Sequence, residues 1–472
     1  MRDSSKKTPK DATEFEREQL RFFLTNSNVT AVLAEVNPSL AWLPMLAELR
    51  LIDAETQLAP WIEKNFSEAD AVLEVAANIR FFRPDTADIL EYRLNRTEGV
   101  SPLLMTCWRL IIRHMRTARR GALRDAWFDV GPRIKRGEHS HELLERLADV
   151  LRPKLRVGKL LSWLDEERDG EPERPTDLMS IDYEIEDHVS DDDVLSAWPT
   201  DAAADIDDKL LRVLTQALGA AIEDAIGAGV EGNTGYSLSD SDVPSVAKHK
   251  QNAYRTGFLP IVRVTADLWT RLARKDARRS LAFVKDWQAS PSRLIRRLAL
   301  FAAADAAVPA DMAAHVLKTL PVGELFLTNS SVEVYRLISA RWRDFTPDEQ
   351  HDIEGRIAEG PPADWFRHDQ AEMVDRCRFD LLGHIERSGA RLDAEALAIL
   401  DGIRKRWPQW KLRPLEQAGF HIWHESSSGV VGDPTLANAA RGLRYLERWT
   451  DILVAAYRGE KNFMYANGTQ KP

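Results

Sequence analysis

Apolar residues recur along this chain with the spacing of a helix face. Leu104, Cys107, Trp108, Ile111 and Met115 form one stripe, and Leu143, Leu144, Leu147 and Leu151 a second. Leu294, Ile295, Leu298, Phe301 and Ala302 form a third, and Val334, Tyr335, Ile338 and Trp342 a fourth. Side chains three and four apart share one side of an α-helix, so each stripe needs a neighbour to cover it. Strand-like alternation is scarce. The dipeptides Asn37-Pro38, Ser101-Pro102, Ser290-Pro291, Thr346-Pro347 and Asp433-Pro434 each offer a capping acceptor followed by a proline, which tolerates the first helical position. Thr346 with Glu349 adds the spacing of a capping box.

These signals predict an all-α fold, either a HEAT-like α-solenoid or an irregular multi-helix array. Helix pairs are expected over 257–288, 290–320, 330–358, 364–388 and 393–407, units whose apolar stripes are too small to stand alone and must bury on the next pair. At 472 residues the chain is too long for one compact domain. Its expected division is a tail over 1–10, a helical region over 11–164, an acidic flexible linker over 165–205, a helical-repeat region over 206–460 and a polar tail over 461–472.

The linker is set apart by charge. Between Asp165 and Asp208 there are 18 acidic residues against Arg168 and Arg174, a formal charge of −16 in a chain whose net charge is −10. Glycine, prolines and few large apolar residues mark it as a stretch that cannot offset its own ordering entropy. The rest of the chain is therefore basic. Residues 109–159 and 255–297 each carry a formal charge of +8. In the second block Arg271, Arg274, Lys275 and Arg278 follow one helix face, and Arg293, Arg296 and Arg297 follow on the next helix, on the side away from its apolar stripe. A third patch, Arg404, Lys405, Arg406, Trp407, Trp410, Lys411 and Arg413, interleaves cations with indoles, which suits phosphate contact and base stacking. Each patch also has a plain reading as a solvated or packed helix face. A tethered −16 segment could compete with an external polyanion for these faces, gating them by charge.

Other chemistries find little support. Cys107 and Cys377 lie far apart in helical stretches and read as reduced core thiols, which argues against disulfides or a thiolate metal site. The longest apolar run, near Leu298 to Ala304, is too short to cross a membrane, and the N-terminal stretch has no secretory pattern, so a cytoplasmic protein is expected. Gly227, Gly229, Gly232 and Gly235 lack the lysine of a phosphate loop. His139 with His141, and His421 with His424, have no companion ligand at a metal spacing, and the carboxylates Asp182, Glu184, Glu186, Asp187 and Asp191 to Asp193 sit in no cage-forming loop. No metal or cofactor is expected. The pairs Arg109 with His114, Arg133 with His139, Arg136 with His141 and Arg378 with His384 have the Arg-to-His spacing of HEPN-type helical ribonucleases. Arginine is so frequent here that chance supplies such pairs, and Leu110 stands where that family has a polar residue.

The segments WLPMLAELRLI (42–52), RLIRRLALFAAAD (293–305) and LPVGELFLT (320–328) resemble helical-repeat regions of large bacterial defence proteins. That resemblance implies a scaffold or sensor array holding an effector or recognising a foreign molecule, and it carries no site residue. The reading it favours is a non-enzymatic scaffold with a protein or polyanion partner. The alternatives are a nucleic-acid-binding protein and a HEPN-like ribonuclease.

Overall fold

The computed structural model describes residues 13–25, 37, 39–48, 55–82, 84–118, 126–160, 171–185, 189–232, 237–253, 255–326, 328–362 and 370–415. Among them the fold is mostly helical. The elements run α1 (Glu14–Thr25), α2 (Leu43–Glu48), α3 (Glu55–Glu63), α4 (Ala69–Ala77), α5 (Pro84–Leu94), α6 (Pro102–Ala118), α7 (Ala126–Lys135) and α8 (His141–Leu151). Two strands follow, β1 (Lys154–Gly158) and β2 (Ser180–Glu184), then α9 (Asp191–Ala197), α10 (Ala204–Gly227) and α11 (Leu238–Asp242). The remainder is α12 (Leu259–Lys275), α13 (Ala277–Gln288), α14 (Arg293–Ala303), α15 (Ala310–Thr319), α16 (Val322–Phe326), α17 (Ser331–Arg341), α18 (Pro347–Glu359), α19 (Gln370–Arg387) and α20 (Ala394–Arg406).

Several starts follow their caps. Ser101 Oγ accepts the Leu104 N–H at the head of α6, and Thr346 and Glu349 close the capping box that opens α18. Two differ. Ser292, not Ser290, caps α14, and Ser39, not Asn37, caps the short 3-10 turn Leu40–Trp42. Asp433 and Pro434 lie outside the described residues.

The chain forms two compact units, and one of the breaks between them, Val189 to Ser190, falls within the acidic stretch. The first comprises Met1–Glu138, Asp149–Val189 and Ala220–Leu238. Here α3 and α4 pack with α5 and α6 around Trp61, Phe66, Val72, Val75, Leu90, Trp108 and Ile111, all buried. The Trp108 indole N–H donates to the Phe66 carbonyl at 2.9 Å, so its polar atom is satisfied inside the apolar core. Strand β1 lies on α6 and pairs antiparallel with β2, with Leu155 opposite Tyr183 and Val157 opposite Ile181.

The second unit comprises His139–Ala148, Ser190–Gly219 and Ser239–Pro472. Helices α12, α14, α17 and α19 pack one on the next in that order, and α15, α18 and α20 do the same beside them. The stretches 257–288, 290–320 and 330–358 hold two α-helices each, and of these α12 packs on α13 and α14 on α15. The stretches 364–388 and 393–407 are one helix each among their described residues, α19 and α20, and together make a single pair.

The described residues of the acidic stretch, expected as a flexible linker, include regular structure. Residues 180–184 are strand β2, and α9 begins at a full capping box in which Ser190 and Asp193 exchange bonds. The carboxylates of Asp191, Asp192 and Asp193 stand in the first turn of α9, where the helix dipole favours them. Asp207 is fully buried. Composition misled because these acids find partners: Trp198 donates its indole N–H to Asp207 at 2.9 Å, Lys275 reaches the same carboxylate at 2.8 Å, and Arg263 pairs with Asp191 at 3.5 Å. Along α12, Arg263, Asp267, Arg271 and Lys275 share one face at four-residue spacing, and that stripe fastens the stretch from Asp191 to Asp207.

Candidate polyanion-binding faces

The arginines of α14 point the opposite way from the expectation. Arg297 and Glu333 are each only 1% exposed and form an ion pair at 2.9 Å. Arg293 pairs with Asp240, and Arg296 with Glu324 at 2.8 Å. The expected outward basic face on this helix is therefore corrected to an inward, paired one. The buried Arg297 guanidinium survives because its fork of donors is filled by carboxylate and carbonyl oxygens.

Those oxygens belong to a buried backbone segment. Arg297 donates to the carbonyls of Val243 at 2.8 Å and Pro244 at 3.2 Å, Arg263 donates to that of Val246 at 2.9 Å, and Arg336 reaches Ser245 Oγ at 3.2 Å. Glu333 completes the clamp by accepting the Val246 N–H at 2.8 Å. The Asn252 amide takes the remaining groups, donating to the Ser245 and Ala247 carbonyls and accepting the Ser245 N–H. An irregular segment in a core must place its backbone polar groups somewhere, and here α12 and α14 supply arginines to its carbonyls while Arg336 of α17 holds the Ser245 side chain.

Around the α12–α13 junction the charges divide. Lys275 is engaged by Asp207 and by the Ala202 carbonyl at 2.7 Å. Arg271 is half-buried beside Asp267, and its charge opposes the upward push that burial gives that carboxyl. Arg274 and Arg278 are exposed and have no carboxylate partner among the described residues.

The third patch folds back on α19. Arg404 pairs with Glu386, and Arg406 makes a two-pronged contact with Asp375 at 2.9 and 3.0 Å. Trp407 donates its indole N–H to the same Asp375 at 3.1 Å and stacks on Trp410, centroids 5.0 Å apart and planes 5° from parallel. Trp410 lies edge-on to Phe379 and under the Arg376 guanidinium. Beyond it Leu412 fits against Gly383, where a Cβ would come within 2.7 Å of it, and Arg413 reaches Asp380 at 3.1 Å. The segment 407–413 thus covers α19. Lys405 and Lys411 are exposed with no carboxylate partner among the described residues.

The four Arg-to-His spacings have structural explanations. His114 is buried on α6, where its Nδ1 accepts the Val157 N–H at 3.1 Å and so ties β1 to the helix. Burial pushes its pKa down, consistent with a neutral ring. His384 is fully buried against Tyr335 and pushed down to about 4 by burial, while Arg378 donates to the Glu359 carbonyl. Arg133 and Arg136 each reach Glu138, His139 lies against Trp198, and His141 pairs with Glu145. The glycine cluster has a different explanation. Gly229 adopts φ +75° and ends α10 in a Schellman arrangement, with Val230 N–H donating to Ala225 and Gly229 N–H to Ile226.

No three His, Cys, Asp or Glu side chains gather as a metal site among the described residues, and no helix there is long and apolar enough to cross a membrane. Cys107 is buried and Cys377 half-buried, both as free thiols. His421 and His424 lie outside the described residues, as do Glu186 and Asp187. Three side chains not singled out by any sequence motif do converge: Glu354 of α18, Asp393 at the cap of α20, and His351. Their spacing of 39 and 42 residues gives no local signal.

No known family matches the chain, and no solved structure matches it. It is 24% identical over 384 residues to "Uncharacterized protein y4cA" of Sinorhizobium fredii (strain NBRC 101917 / NGR234). That similarity covers 79% of this chain and 31% of the relative, so the chain spans about a third of the relative's length.

Proposed function

We propose that this chain is a non-enzymatic helical-repeat scaffold that holds a protein partner. The observation carrying this reading is the serial packing of the second unit, in which α12, α14, α17 and α19 form one line and α15, α18 and α20 another. Such stacking is how a helical array builds an extended surface from units that contact only their neighbours. The pairing of Arg293, Arg296, Arg297, Arg404 and Arg406 with carboxylates of the chain itself also weighs against a continuous basic track. The likeness to helical-repeat regions of bacterial defence proteins adds a setting in antiphage defence.

Hydrogen exchange tests the array. Neighbour-only packing predicts that α19 and α20 open at lower free energy than α12 and α14, whereas one shared cooperative opening across all four would reject it. A second reading, nucleic-acid binding, is favoured by the exposed, carboxylate-free Arg274 and Arg278. It predicts affinity for single- or double-stranded probes that falls steeply with salt and weakens in Arg274→Glu/Arg278→Glu. The scaffold reading predicts no binding of those probes above the non-specific level.

A further inference from the structure

We propose that Glu354, Asp393 and His351 form a proton-operated latch between α18 and α20, tight while Glu354 holds its proton and loosened as that proton is lost. The geometry places a carboxyl where an anion has no counter-charge. Glu354 is 2% exposed, its Oε2 accepts the Asp393 N–H at 3.0 Å, and its Oε1 is buried without a hydrogen-bond partner. No cation pairs with it among the described residues. Asp393 caps α20 by accepting the Ala396 N–H through Oδ1 at 2.7 Å, and its Oδ2 contacts Nδ1 of the exposed His351 at 3.0 Å. The same residue therefore starts α20, anchors to α18 through its backbone and binds the histidine through its side chain.

The surroundings leave Glu354 to Asp393 and His351. On its own helix Asp352 is taken by Lys318 of α15. Across α19, which packs on both α18 and α20, Asp375, Asp380 and Glu386 are held by Arg406, by Arg376 with Arg413, and by Arg404. Glu395, at the start of α20, is exposed.

Burial pushes Glu354 up from 4.5 to about 7, and the nearby Asp393 carboxylate reinforces the rise. Asp393 is held below its usual value, first by the Ala396 N–H and then by His351, and His351 is raised from 6.5 by its bond to Asp393. A carboxyl raised in the folded state contributes stability that is complete below its unfolded pKa and is lost as pH climbs through the folded one. For Glu354 that window runs from 4.5 to about 7. His351 acts in the same direction from 6.5 upward. Asp393 acts in the opposite direction, weakening only on acidification below 3.8. Between mildly acidic and neutral pH, the junction therefore loosens as protons leave.

The test is hydrogen exchange of the α20 amides in the full chain, corrected for intrinsic rate. Opening of α20 in the wild-type protein should become up to about tenfold more frequent per pH unit between about pH 5 and pH 7, then rise only by the smaller share that His351 adds as it loses its proton. Glu354→Gln, which keeps an oxygen for the Asp393 N–H and cannot ionise, should flatten that rise; His351→Ala should leave most of it. A Glu354→Gln slope equal to the wild type overturns the latch. A carboxyl carbon resonance of Glu354 titrating below about pH 5 in the wild-type protein overturns it independently of any variant.

Discussion

Helix α14 and the corner where α12 meets α13 carry arginine at similar density, yet they use it in opposite ways. Arg293, Arg296 and Arg297 enter the core and meet Asp240, Glu324 and Glu333, whereas Arg274 and Arg278 remain in solvent. The difference lies in what stands across from each helix. α14 faces the irregular segment 243–246, whose carbonyls need donors, and an arginine can satisfy two of them while also balancing a carboxylate. At the corner Lys275 already meets the Ala202 carbonyl and the Asp207 carboxylate, and Arg274 and Arg278 stay exposed. Arginine spacing alone therefore does not distinguish a ligand face from a clamp; the unsatisfied backbone opposite it does.

The contrast is broken most severely at Arg297. Arg297→Ala leaves Glu333 charged and buried and strips two carbonyls of donors, so urea denaturation should show a loss of about 3–5 kcal/mol. Arg297→Met/Glu333→Leu should recover part of this by removing both charges. It should remain below wild type, because the Val243 and Pro244 carbonyls still lack Arg297 and the Val246 N–H now also loses Glu333. Asp207→Asn removes the charge opposite Lys275 while leaving an acceptor for Trp198, and a loss of about 1–3 kcal/mol is expected in the same measurement. His114→Ala should cost a similar about 1–3 kcal/mol by orphaning the Val157 N–H. At the exposed end of the comparison, Arg274→Glu and Arg278→Glu should each change stability by less than about 0.5 kcal/mol. A loss at Arg278 equal to that at Arg297 would show that exposure does not separate the two groups.

Much of the helical framework was legible because its signals are local. The Thr346 capping box, the Ser101 cap and the stripes of α6, α14 and α17 are set by residues within a turn or two of one another. The β1–β2 pair was not legible. Each strand is five residues long, and the inward residues Leu155, Val157 and Tyr183 are too few to stand out against the surrounding charge. The arginine faces were misjudged for a related reason: the partners of Arg293, Arg296 and Arg297 lie 53, 28 and 36 residues away, beyond any helical period. The third patch combined both effects, since Trp407 and Arg406 find Asp375 only once α19 and α20 lie side by side.

The clamp on residues 243–246 also bears on how fast this unit assembles. Most of its helices meet near neighbours in the chain, an arrangement that closes short loops and forms quickly. The clamp instead joins Val246 to Glu333 across 87 residues and Ser245 to Arg336 across 91. Neither bond can form until α12, α14 and α17 are in place, so the loop-closure entropy falls on one late step. A slow refolding phase that reports burial of this segment, after the helices have already formed, is the kinetic counterpart of its arginine-filled core.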